Sequence, residues 1–343
     1  MDKKIDFKYG IETHDKYHAT NMLDCYEYAI SNGIKSKFGN EISMYNIFAK
    51  NITLRMTIDS ETSINLSMNN YSNQFIDVAT YENSSLEIIE QLLDKDEIVI
   101  INTLHHEIKF FKFYNTPYST ERGMPIHWLS IVHHDCENLY YVENPDLINH
   151  GNYSYYGDNK TVGMISKEYM KKFFDRYLLC LKINIDFKQL DVFADRLLEI
   201  LQAIIESSKP ENVTNGFDEY YGIAVIERMI EICLNNSKTY YSEYSEDLSF
   251  SLVDAIRIIF QARIYMKECL MCFVDNNRYI TKDEIFDAFE PAIKTWIVVY
   301  QVLLKRHIKK QQLLGRHISE YLSQLILHEK RIIDCIKKIM QCT

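Results

Sequence analysis

Glycine and proline are the residues this chain does without: ten of one and five of the other in 343 positions, under half the usual share of each. That scarcity excludes collagen-like repeats, Gly/Ser linkers and proline-rich tails, and it disfavours a many-turned all-β fold whose hairpins need glycine. Neither G-x-G-x-x-G nor G-x-x-x-x-G-K-[ST] occurs, so dinucleotide and nucleoside-triphosphate readings have no sequence support. The eight cysteines are scattered and follow no secretory signal, which points to free thiols in a reducing cytoplasm rather than a disulfide scaffold. No run of about 18 apolar residues is present, so no membrane-spanning helix is expected. A basic excess is also missing. The net charge of -10 argues against nucleic acid or an anionic membrane as the main partner.

What is there is an ordinary globular balance, 47% hydrophobic and 25% charged, on a chain long enough for two domains. Seven of the ten glycines and three of the five prolines precede residue 164. This places a boundary near 160, with a mixed α+β domain over 1–160 and a largely helical domain over 161–343. In the first domain, Asn21 caps a helix over 21–32 that ends at Gly33, and a Ser84 to Glu87 capping box opens another before the strand run Ile98 to Ile101. His127 to His133 and Leu139 to Val142 read as an antiparallel hairpin. Helical spacing recurs over 167–182, 188–207, 217–234, 248–274 and 282–340, the last broken near Gly315. Asp275 to Glu284 imitates the end of a calcium loop, but Phe273 and Arg278 stand where the first carboxylate and the turn glycine belong, and a Thr281 to Glu284 capping box explains the same letters.

One constellation could carry chemistry. Cys25 falls in the first full turn of the 21–32 helix, where unpaired N–H groups and the positive end of the dipole favour a thiolate. His127 opens the hairpin, and Asn144 follows its second strand. That arrangement brings a general base beside an amide oxygen able to fix its tautomer. Cys269-x-x-Cys272 has no second pair to complete a metal site. Of the adjacent pairs His105-His106 and His133-His134, neither can chelate one ion if strand residues alternate faces, whereas His133 shares a face with His127. Lys167, Lys171, Lys172 and Arg176, or Lys305 to Lys310, offer basic docking patches whose simpler reading is a solvated helix face. The tyrosines at 240, 241 and 244 could line an aromatic channel.

Helix-Cys, strand-His, hairpin and Asn144-Pro145 in that order resemble the papain-like, cysteine-peptidase-like fold. The run His127-Trp128-Leu129-Ser130-Ile131-Val132 with Leu139-Tyr140-Tyr141-Val142-Glu143-Asn144-Pro145 resembles the bacteriocin-leader-processing cysteine peptidases. Ile98 to Asn102, then Lys112 to Tyr118, then His127, with a later Gly216 to Ala224 helix start, resembles the butirosin-biosynthesis acyltransferase family. The resemblance implies an amide-forming acyltransferase of the closthioamide-synthase type. Cys25 would take an acyl group from a thioester on a carrier protein and pass it to a small-molecule amine, with neither metal nor organic cofactor. Hydrolysis by a peptidase or thioesterase, or a scaffold kept for binding after losing the chemistry, are the alternatives. The relatives usually carry Asp where this chain has Asn144, and Asp146 is the other candidate for the third catalytic position. The Cys25 backbone N–H would supply one oxyanion donor, and Asn21 or His18 the second.

Overall fold

The computed structural model describes residues 25–38, 52–59, 63–68, 76–81, 85–104, 126–142, 154–156, 159–171, 180–185, 193–207, 213–214, 218–235, 246–274, 280–309 and 311–342. It is a mixed helix and sheet structure with antiparallel pairing, as the α+β reading expects. The chain divides into two compact units, 1–47 with 73–190 and 48–72 with 191–343. Each unit therefore takes two separate stretches of chain. Position 160, the expected boundary, lies inside a strand of the first unit.

In the first unit, β3 (Ile76–Tyr81), β4 (Ile98–Leu104), β5 (Ile126–His134), β6 (Asn138–Val142), β7 (Ser154–Tyr156), β8 (Asn159–Ser166) and β9 (Cys180–Ile185) form one sheet in the order β3-β9-β4-β5-β6-β8-β7. Of the helix expected over 167–182, residues 167–171 are helical, whereas Cys180 to Ile185 is a strand that pairs with both β3 and β4. Each face of the sheet carries a helix. α1 (Cys25–Phe38) lies on the face of Ile98, Trp128 and Ser130, while α2 (Leu86–Asp94) lies on the face of Val99, Ile101, Leu129 and Ile131. Leu86, Ile89 and Leu92 complete that second cluster with Leu139, Tyr141 and Ile165. The cap of α2 is Ser85, one residue beyond the expected Ser84, its Oγ accepting from the Ile88 N–H at 3.4 Å.

Gly33 does not end α1, which continues to Phe38. A Cβ at this position would stand 2.5 Å from Ile98 Cγ2 and 3.0 Å from Ser130 Oγ. The glycine is there so that the helix backbone can lie close against β4 and β5.

The second unit joins a four-stranded sheet, β10-β11-β1-β2, to five helices among its described residues. β1 (Leu54–Asp59) pairs with β2 (Ser63–Met68) and with the distant β11 (Asp218–Tyr221), and β10 is Val213–Thr214. Leu54, Met56 and Ile58 turn inward while Arg55 and Thr57 do not, the period of two that a half-buried strand requires. The helices are α3 (Phe193–Ser207), α4 (Ile223–Leu234), α5 (Glu246–Phe273), α6 (Lys282–Ile308) and α7 (Arg316–Cys342). The expected helix over 217–234 begins as strand β11 and turns helical only after Gly222, whose φ of 55° and ψ of -128° suit glycine.

Thr281 caps α6 through the expected box: its Oγ1 accepts from the Glu284 N–H at 3.2 Å, and Glu284 Oε2 accepts from the Thr281 N–H at 2.9 Å. At the centre of the helices, buried Arg263 donates to both carboxylate oxygens of Glu329, at 2.5 and 2.9 Å, and Trp296 Nε1 donates to the same group at 2.7 Å. Among the described residues, no helix is long and apolar enough to cross a membrane.

Candidate functional site

Two of the expected site residues fall within described elements. Cys25 is the first residue of α1 (Cys25–Phe38), and the residues before it lie outside the described ones. His127 is the second residue of β5, 1% exposed, and its carbonyl accepts a hydrogen bond from Thr103 Oγ1 at 3.2 Å across the β4–β5 ladder. Asn144, Asp146, Asn21 and His18 lie outside the described residues. β6 reaches Val142, which pairs with Ser130.

Helix start and strand start are brought together by their neighbours. Tyr26, one residue beyond Cys25, meets Trp128, one residue beyond His127, edge to face with ring centroids 5.2 Å apart. Such a contact contributes about 0.5–1.5 kcal/mol beyond area burial, and here it ties the first turn of α1 to the first residues of β5. Strand alternation sets a condition on what can meet there. Trp128 and Ser130 face α1, whereas His127 alternates with Leu129 and Ile131 and is paired across the ladder with Thr103.

The hairpin carries a bulge between Ile131 and His133. It moves His133 opposite Tyr140, on the face of Tyr140 and Val142, with rings 5.5 Å apart. His133 and His127 thus lie on opposite faces, contrary to the expectation from counting six residues along a regular strand. Burial, and then the neighbouring His134, lower the His133 pKa. His134 turns the other way, toward α2. Its Nε2 is 2.9 Å from Asp94 Oδ1 and its Nδ1 is 3.3 Å from Lys167 Nζ, while Lys167 Nζ is also 2.6 Å from Glu90 Oε1. The sequence signal for this chain of groups was Glu90 and Asp94 one helical turn apart, which share a face of α2.

Lys167 contacts Glu90 and His134, and Lys172, Arg176, His105, His106 and the tyrosines at 240, 241 and 244 lie outside the described residues. Cys269 is buried and Cys272 exposed on one helix, so the CxxC thiols do not share an environment, and burial pushes the Cys269 thiol far up. Among the described residues, no three metal-ligating side chains converge. Comparison of the sequence with protein-family models and with curated proteins finds no match.

Proposed function

We propose that the first unit is a papain-like cysteine acyltransferase that forms amides. The reading rests on one observation: the Tyr26–Trp128 contact sets the Cys25 end of α1 against the first residues of β5, of which His127 is the second. The Cys25 thiolate attacks the carbonyl of an acyl thioester on a carrier-protein arm. A new C–S bond forms, the old one breaks, and the departing thiolate takes the proton that His127 accepted from Cys25. An amine then attacks the acyl-cysteine, its proton passes to the imidazole, and the Cys25 sulfur leaves as the amide forms. Asn144 or Asp146 would orient the imidazole, and the Cys25 N–H with Asn21 or His18 would hold the oxyanion.

The second reading is a binding protein on the same scaffold, and the alternation that turns His127 toward the face of Leu129 and Ile131 favours it. Intact-mass measurement with an acyl-pantetheine thioester separates the two. The acyltransferase predicts an acyl adduct on the wild type, none on Cys25→Ala, and at least tenfold slower loading for His127→Gln. Discharge by an amine pool should be much faster than by water. Loading equal in wild type and Cys25→Ala supports the binding protein, and rapid discharge by water alone makes the enzyme a hydrolase.

A further inference from the structure

A cleft of about 910 Å³ opens on the first unit between the start of α2, the β5–β6 turn and the 166–171 segment, with Glu90 and Lys167 in its wall. His134 bonds to Lys167 of that wall. An Asp94 carboxylate only accepts, so Nε2 must carry the hydrogen, and a Lys167 ammonium only donates, so Nδ1 must present its lone pair. Both ring nitrogens are used by the neutral imidazole in one tautomer. In the imidazolium Nδ1 also carries a hydrogen, and it faces an ammonium 3.3 Å away. The Asp94 bond strengthens while the Lys167 bond is lost to like-charge contact.

We propose that Asp94 and His134 form, with the cleft-lining Lys167 and Glu90, a pH-operated clasp in which protonation of His134 releases Lys167 from the β5 end. Among the described residues, the charged and titratable groups around the imidazole are Asp94 and, through Lys167, Glu90 from α2; Lys167 from the 167–171 turn; His133 on the same strand, with rings 6.2 Å apart; and Asp135 in the adjoining turn. Lys167 is also held by its backbone, whose N–H donates to the Glu137 carbonyl at 2.8 Å. Release therefore moves the side chain and leaves the turn in place. The ammonium then has Glu90, 2.6 Å away, as its remaining partner of the two, on a cleft wall that Glu87, Glu137 and Glu168 also line.

Nitrogen-15 NMR of the histidine-labelled full chain reads the tautomer directly, and carbon-13 labelling of lysine, assigned by Lys167→Arg, reads the release. The clasp predicts a neutral His134 protonated at Nε2 and a Lys167 ε-carbon shift that steps at the same pH as the His134 ring signals. In His134→Gln, whose amide donates to Asp94 and accepts from Lys167 without titrating, that step should vanish. A neutral His134 with its hydrogen on Nδ1 overturns the proposal. So does a Lys167 signal that ignores the His134 titration, or one that keeps its step in His134→Gln.

Discussion

At the scale of the residue, Gly33 shows two effects of opposite sign. Replacing a helix-interior glycine with alanine normally stabilises by about 0.5–1 kcal/mol. Here the added methyl meets Ile98 Cγ2 at 2.5 Å and Ser130 Oγ at 3.0 Å, and such overpacking costs about 1–3 kcal/mol. The clash wins, because α1 is pressed against β4 and β5 by the neighbouring buried residues Ala29, Ile30 and Ile34. Gly33→Ala is expected to lower the urea midpoint, and a raised midpoint would show that α1 can lift off the sheet at little cost. The same position shows why the sequence misled. Glycine after a periodic run reads as a helix end, and only the sheet beneath it reveals that the missing Cβ serves close packing.

At the scale of the element, the β5–β6 turn is built on one carboxylate. Asp135 accepts from the Glu137 and Asn138 amides at 2.8 and 2.7 Å and from the Tyr140 hydroxyl at 2.6 Å. Burial opposes ionisation, but the hydrogen bonds from Tyr140, Glu137 and Asn138 outweigh it and bring the carboxyl to about 2. Because the folded pKa lies below the ordinary 3.8, the stabilisation is present above about pH 4 and is lost as pH falls toward about 2. Urea midpoints measured across that window should converge for wild type and Asp135→Asn at the acid end and separate above it. A constant difference would place the effect elsewhere.

This hairpin was legible because its strands, turn and flanking apolar residues are local. Its bulge was not, since one extra residue at Val132 leaves no mark in an apolar run. Cys180 to Lys182 of β9 read as the end of a helix because the apolar residues of 167–182 recur at three- and four-residue steps, and the pairing of β9 with β3 and β4 is decided by strands about 80 to 100 positions away. Of the residues singled out in the sequence, Cys25 lies in a helix and His127 near the start of a strand, as local spacing suggests. Which face of the sheet each takes was not legible, since it depends on register.

At the scale of the whole molecule, the second unit is organised around a buried charge pair as well as an apolar core. Arg263 is 1% exposed and Glu329 7%, with Trp296 donating to the carboxylate and its ring 5.6 Å from the guanidinium carbon. Removing one partner of such a pair leaves the other charge buried and typically costs about 3–5 kcal/mol, whereas replacing both with apolar residues of similar volume is often neutral. Glu329→Ala is expected to lose that much in urea denaturation, and Arg263→Met with Glu329→Leu to recover most of it. If the double variant is as unstable as the single one, the Trp296 indole N–H depends on the Glu329 carboxylate more than the pair costs to bury. The interleaving of the two units bears on the order of events during synthesis. β1 leaves the ribosome long before the partner it needs, since Ile58 pairs with Asp218, 160 positions later. At roughly 5–20 residues per second the β1–β2 hairpin waits about 8–30 s with one edge unpaired, while the strands of the first unit emerge between them. The first unit can finish folding in that interval, and the second closes around a segment that was made before it.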